Sequence, residues 1–204
     1  MDRDSINRYN NRRKPECKVN VESVPEPFIG NPQSARVVLL NLNPGDSDDD
    51  KKAHSDAAFR NAMDRNLRHE RQEYPFYPLN PKFEQTACGV WWQEHTRELL
   101  NAGLDCARVA KRLLVIEWFP YHSKEFSSSS KRPCPSQGYS FQLALKMLDK
   151  NKLIVGMRSK KRWVEVDQRF GGVPFLNSPQ NPCISIRNCG EDLFKGIVKA
   201  FQNN

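Results

Sequence analysis

The sequence predicts an α/β fold, a three-layer sandwich whose central four-stranded parallel sheet is covered by helices on both faces. Short continuous apolar runs recur along the chain, segments of helical periodicity fall between them, and the runs stop on polar or turn-forming residues. Apolar runs of this length fit strands buried on both faces, as in parallel sheets. Strands that alternate with helices imply right-handed crossovers that place helices on both sides. At 204 residues the chain fits one ordinary domain.

The elements follow in order. Residues 1–20 are polar, rich in Arg and Asn and without a hydrophobic period, so they read as a basic arm lacking stable structure, ahead of a single domain over 21–204. The first strand is the run 36–42, which ends at Asn43-Pro44-Gly45. An acidic run, Asp46 to Asp50, precedes a helix over about 54–69 that carries Ala58, Phe59, Ala62, Met63 and Leu67 at helical spacing. Residues 74–81 hold three prolines among aromatics and form a loop, because proline removes amide donors and restricts the residue before it. A helix over about 89–101 follows, with Gly103 placed to stop it. The second strand is 112–118, the third 152–156 and the short fourth 173–176. Between them lie a Ser-rich basic loop at 127–135, a helix over about 137–150 and an irregular basic helix over 159–170. The last helix opens at Asn188, with Glu191 completing a capping box.

Composition narrows the function. Lys and Arg number 32 against 24 Asp and Glu, a net charge of +8, which favours a polyanionic partner such as nucleic acid. No stretch approaches the roughly 18 apolar residues that span a bilayer, and the N-terminal residues lack the apolar core of a secretory signal. A cytoplasmic monomer is expected, with no membrane association. The six cysteines lack a CxxC pair, so they read as free thiols rather than as a zinc or iron–sulfur site. No cofactor or metal is expected.

Ligands of open parallel sheets collect at the carboxyl ends of the strands. Here those ends are Asn43-Pro44-Gly45, Glu117 to His122, Gly156-Met157-Arg158 and Asn177-Ser178-Pro179. The stretch Val38-Leu-Leu-Asn-Leu-Asn-Pro-Gly45 resembles the first motif of the mismatch-specific and thymine-DNA glycosylase branch of the uracil-DNA glycosylase superfamily, whose strand ends in Gly-Ile-Asn-Pro-Gly. The order of later elements is similar over about residues 35–190, although the close motif spans only about five residues, and Asn-Pro-Gly is also an ordinary turn.

The resemblance implies a DNA glycosylase that flips a base into a pocket and hydrolyses its N-glycosidic bond without metal or cofactor. Asn43 would hold the attacking water through its side-chain carbonyl, and catalysis would rest on positioning and on stabilising the departing base. Phe76 or Tyr77 would stack on the base, or else pack in the core. Where related sequences place an asparagine to read the base, this chain has Glu117. An ionised carboxylate opposes a carbonyl edge, so either the base is not plain uracil or burial keeps Glu117 protonated. His122 is a further candidate for contacting the base, whereas His54 and His69 read as exposed helix ends. The second family motif lacks its histidine here, which leaves Asn177 or Ser178 as weaker donors and Gln180 or Asn181 to fill the gap left by the flipped nucleotide. Lys131, Arg132, Arg158, Lys160, Lys161 and Arg162 would grip phosphates, or form a solvated helix face.

Two other readings stay open. One is a non-catalytic nucleotide- or nucleic-acid-binding protein of the same fold. The other is an unrelated α/β enzyme that uses Asp46 to Asp50 to hold Mg²⁺.

Overall fold

A computed structural model of the protein describes residues 2–11, 13–126 and 134–203. Its sheet contains β1 (Phe28–Gly30), β2 (Val37–Asn41), β3 (Leu113–Glu117) and β4 (Leu153–Gly156), in the spatial order β1-β3-β2-β4. The last three are parallel, as the apolar runs predict. The edge strand β1 is antiparallel to β3, with Phe28 opposite Ile116, so the sheet is mixed rather than purely parallel. Three residues are too few to show a periodicity, which is why the sequence gives no sign of β1.

The expected fourth strand at 173–176 shrinks to one parallel bridge between Gly156 and Phe175. Gly156 donates to the Pro174 carbonyl and accepts from the Leu176 amide, both at 2.8 Å. Pro174 has no amide with which to extend that ladder.

Side chains alternate across the sheet. Val37, Leu39, Leu113, Val115 and Val155 face one apolar layer. That layer includes α3 (Ala57–Leu67), α4 (Ala87–Asn101), α5 (Cys106–Arg112) and α9 (Glu191–Gln202). Val38, Leu40, Leu114, Ile116 and Ile154 face the other, built on α6 (Gln137–Asp149) and α7 (Lys160–Val166). The α/β sandwich is therefore observed, with helices on both faces. Among the described residues no helix is long and apolar enough to cross a membrane. All six cysteines are free.

Three helical expectations need correction. Residues 3–10, expected to be part of an unstructured arm, form helix α1 (Arg3–Asn10). Its Ile6 and Tyr9, three apart, bury against Val19, Phe119 and Cys134, while the buried Asp2 carboxylate accepts from Tyr121 Oη at 2.8 Å. The helix expected over 54–69 is two, α2 (Asp48–Ser55) and α3, because Asp56 is extended and its side chain caps α3 through the Phe59 amide at 2.8 Å. At the C-terminus, Gly190 at φ 77° separates α8 (Ile186–Cys189) from α9. Asn188 does not cap α9; its side chain instead binds the Ser178 amide and the Asn181 and Cys183 carbonyls.

Candidate functional site

The antiparallel edge strand builds one wall of the site. Upstream of β1 the chain continues along the far end of β3: the Glu117 amide donates to Pro27, the Glu26 amide to Pro120 and the Asn20 amide to His122. This pairing carries Glu26 to the carboxyl edge of the sheet, beside the ends of β2 and β3. A cavity of about 600 Å³ opens there, lined by Glu26, Asn41, Asn43, His54, Trp91, Glu117, His122 and Arg158 among others. Three of the four predicted strand ends thus meet at one cavity.

Glu117 closes β3 directly opposite Asn41, which closes β2. Both are buried, and Asn41 Nδ2 donates to Glu117 Oε1 at 2.9 Å. Glu117 Oε2 and Asn41 Oδ1 are buried without a hydrogen-bond partner. Burial pushes the Glu117 carboxyl up to about 8; the Asn41 hydrogen bond opposes that shift and the nearby Glu26 adds to it. At neutral pH the pair therefore carries a proton and offers one O–H donor and one carbonyl acceptor.

Asn43 is half-buried on the Asn-Pro-Gly turn. Its Nδ2 donates to the Pro44 carbonyl at 2.9 Å and to Ser123 Oγ at 3.0 Å. The amide nitrogen satisfies the turn, and the side-chain carbonyl has no donor among the described residues. Asn43 thus combines the structural role open to it with a free acceptor at the cavity.

His122 is buried behind this turn. Its Nδ1 lies 2.7 Å from the Gly45 carbonyl, and its Nε2 lies 3.2 Å from the Val24 carbonyl and 3.4 Å from Glu26 Oε1. His54, expected to be an exposed helix end, is instead turned inward from the last turn of α2. Its Nε2 is 3.6 Å from the same Glu26 oxygen, and its ring meets His122 edge-on at 4.8 Å. Burial would raise the Glu26 carboxyl, but the two histidines outweigh it and hold the group at about 2. Burial likewise works against charge on His122, while Glu26 and the Gly45 carbonyl lift it to about 9.

The aromatic wall is not the expected one. Phe76 and Tyr77 are fully buried core residues, packed edge-on against Trp92 and Phe59 respectively. Neither lines the cavity, because the prolines around them fold the loop inward onto α4 and α5. Trp91 lines it instead, stacked on His95 with centroids 3.6 Å apart and with the Arg158 guanidinium 5.9 Å from its ring. Burial depresses the His95 pKa, which disfavours charge on its imidazole. The Trp91-Trp92 pair is visible in the sequence, but nothing local distinguishes the ring that faces the core from the one that faces the cavity.

The second loop stays outside. Asn177 and Gln180 are exposed, and neither they nor Ser178 line the cavity. Asn188 holds this loop, its backbone carbonyl accepting from the Asn177 amide and its side-chain oxygen from the Ser178 amide. Of the basic candidates, Arg158 reaches the cavity and donates through Nε to Pro179 at 3.1 Å. Lys160 and Lys161 are exposed on α7, and Arg162 lies 4.9 Å over Trp118 and 5.0 Å over Phe126. Lys131 and Arg132 lie outside the described residues. The acidic run does not converge: Asp50 closes a capping box with Ser47, while Asp48 and Asp49 pair with Lys51 and Lys52. No family model matches this chain, and no curated protein or solved structure matches it either.

Proposed function

We propose that the protein is a DNA glycosylase that takes a flipped base into the cavity at the strand ends and hydrolyses its N-glycosidic bond. The observation that carries this reading is the placement of the free Asn43 carbonyl in the same cavity as the buried Asn41–Glu117 pair, two of whose oxygens lack partners. Buried polar atoms without partners are costly, and a ligand edge that satisfies them is the simplest compensation. One donor beside one acceptor fits a lactam edge, a carbonyl next to a ring N–H, as in uracil or hypoxanthine. Protonation therefore removes the conflict between Glu117 and a carbonyl edge. Trp91 supplies the stacking face, and the Asn43 carbonyl orients water toward the sugar carbon. The basic surface around Arg158 and α7 supplies the DNA contacts, and the free thiols suit a reducing compartment such as the cytoplasm.

The absence of the 177–182 loop from the cavity favours a second reading, a binder of nucleotides or nucleic acid without turnover. Alkaline strand cleavage on oligonucleotides carrying uracil, hypoxanthine, xanthine or a G·T mismatch separates the two. Run with and without chelator, wild type is expected to form abasic sites in both conditions, with activity lost by on the order of 100-fold in Asn43→Ala. Salt-sensitive binding with no abasic product on any substrate would establish the non-catalytic reading.

A further inference from the structure

Glu26, His54 and His122 come from three separate segments and meet on one side of the cavity. We propose that these three side chains form a binding site for a divalent transition metal ion, with Zn²⁺ as its chemical type.

The geometry points to an ion rather than to an ordinary ion pair. Charged N–H···O contacts close to about 2.7–2.9 Å. Here both histidine Nε2 atoms stand off from a single carboxylate oxygen, at 3.6 Å for His54 and 3.4 Å for His122. Two ligands on a tetrahedral ion with bonds of about 2.0–2.1 Å lie about 3.4 Å apart, close to the two histidine–Glu26 spacings. All three ligand atoms fall within 4.8 Å of one another. His54 Nδ1 is buried with no hydrogen-bond partner, so no hydrogen bond through that atom fixes the ring.

The surroundings supply what metal-binding histidines need. His122 Nδ1 sits 2.7 Å from the Gly45 carbonyl and donates to it, so a metal ion at Nε2 would take the place of the proton that otherwise faces the Val24 carbonyl and Glu26. The Val24 carbonyl oxygen, 3.2 Å from that Nε2, offers a fourth donor. Two imidazoles and one carboxylate select a borderline ion over Mg²⁺ or Ca²⁺, which take oxygen donors. Because Gly45 belongs to the Asn-Pro-Gly turn, a bound ion would also brace the segment that carries Asn43.

The full chain is tested with Zn²⁺ alone, by competition against a chromophoric chelator, and with Co²⁺, whose visible absorption reports the ligands. One equivalent is expected, with Co²⁺ bands of nitrogen and oxygen ligation and no thiolate charge transfer. Glu26→Gln and His54→Ala should each weaken Zn²⁺ binding by on the order of 100-fold, and Cys88→Ser, at a cysteine that lines the same cavity, should leave it unchanged. Failure of wild type to bind, a thiolate band, or binding unaltered in both ligand variants would overturn the site. The Co²⁺ spectrum of wild type decides the matter even where a variant fails to fold. Neither readout depends on turnover, and glycosylase activity is assayed in chelator, so the two proposals fail separately.

Discussion

Glu117 is 3% exposed, hydrogen-bonded only through Oε1 and close to the charge on Glu26. Its carboxyl titrates at about 8 in the folded chain, against an ordinary value of 4.5. Between those two values the native state keeps a proton that the unfolded chain has lost, so stability falls as pH rises across the window and levels off above it. Glu117→Gln removes this dependence while keeping one donor and one acceptor. Unfolding free energies of wild type from urea titration should drop by a few kcal/mol between about pH 5 and about pH 8, and those of the variant should drop less, keeping only the fall above pH 6.5 that the raised His122 contributes. A wild-type profile no steeper than the variant's would mean that Glu117 is ionised when buried. At this scale the sequence revealed what strand ends reveal: Asn43, Glu117, His122 and Arg158 all reach the cavity because each follows a readable apolar run. Phe76 and Tyr77 failed as candidates because an aromatic ring packs equally well into a core or a cavity wall, and only tertiary packing decides. Glu26 and His54 carried no signal, since their neighbours in space lie far away in sequence.

Among the elements, β1 governs the site although it is only three residues long. Its outward backbone groups are met by one side chain from α3: Asn66 accepts from the Gly30 amide and donates to the Phe28 carbonyl, both at 2.9 Å. That contact covers the exposed edge of the sheet, where unpaired backbone would otherwise invite pairing with another chain. Asn66→Ala leaves both buried groups unsatisfied and should cost about 3 kcal/mol, measured by chemical denaturation. A loss under about 0.5 kcal/mol would show that water replaces the amide there. Gly30 adds a second constraint, since at φ 111° a Cβ would stand 2.3 Å from the Leu113 carbonyl oxygen. The sequence showed the three long parallel strands because their apolar runs are continuous. It hid β1, whose pairing depends on a long-range partner, and α1, whose two buried residues sit in an otherwise polar segment.

Across the whole molecule, charge is distributed unevenly about the cavity. The first turn of α2 places Asp48 and Asp49 on one side, both exposed and opposed by neighbouring lysines. Arg158 lines the cavity itself, and the exposed Lys160 and Lys161 follow it in sequence. Under the proposed nucleic-acid reading, a polyanion drawn by the net charge of +8 would find its attractive contacts toward α7. Each lysine that neutralises a phosphate releases condensed counterions, so the slope of log affinity against log salt counts such contacts. For a single-stranded oligonucleotide, replacing Lys160 and Lys161 together by alanine should reduce that slope by roughly 1.4, at about 0.7 per contact. Asn43→Ala, which removes an uncharged group, should leave the slope unaltered while lowering abasic-site formation by on the order of 100-fold. If the double lysine variant kept the wild-type slope, the backbone would not run along α7, and Arg162, stacked on Trp118 and Phe126, would be a packing residue alone. If Arg158→Ala also lost stacking fluorescence at Trp91, the cation and the ring would be acting as one platform at the cavity, which their 5.9 Å separation supports.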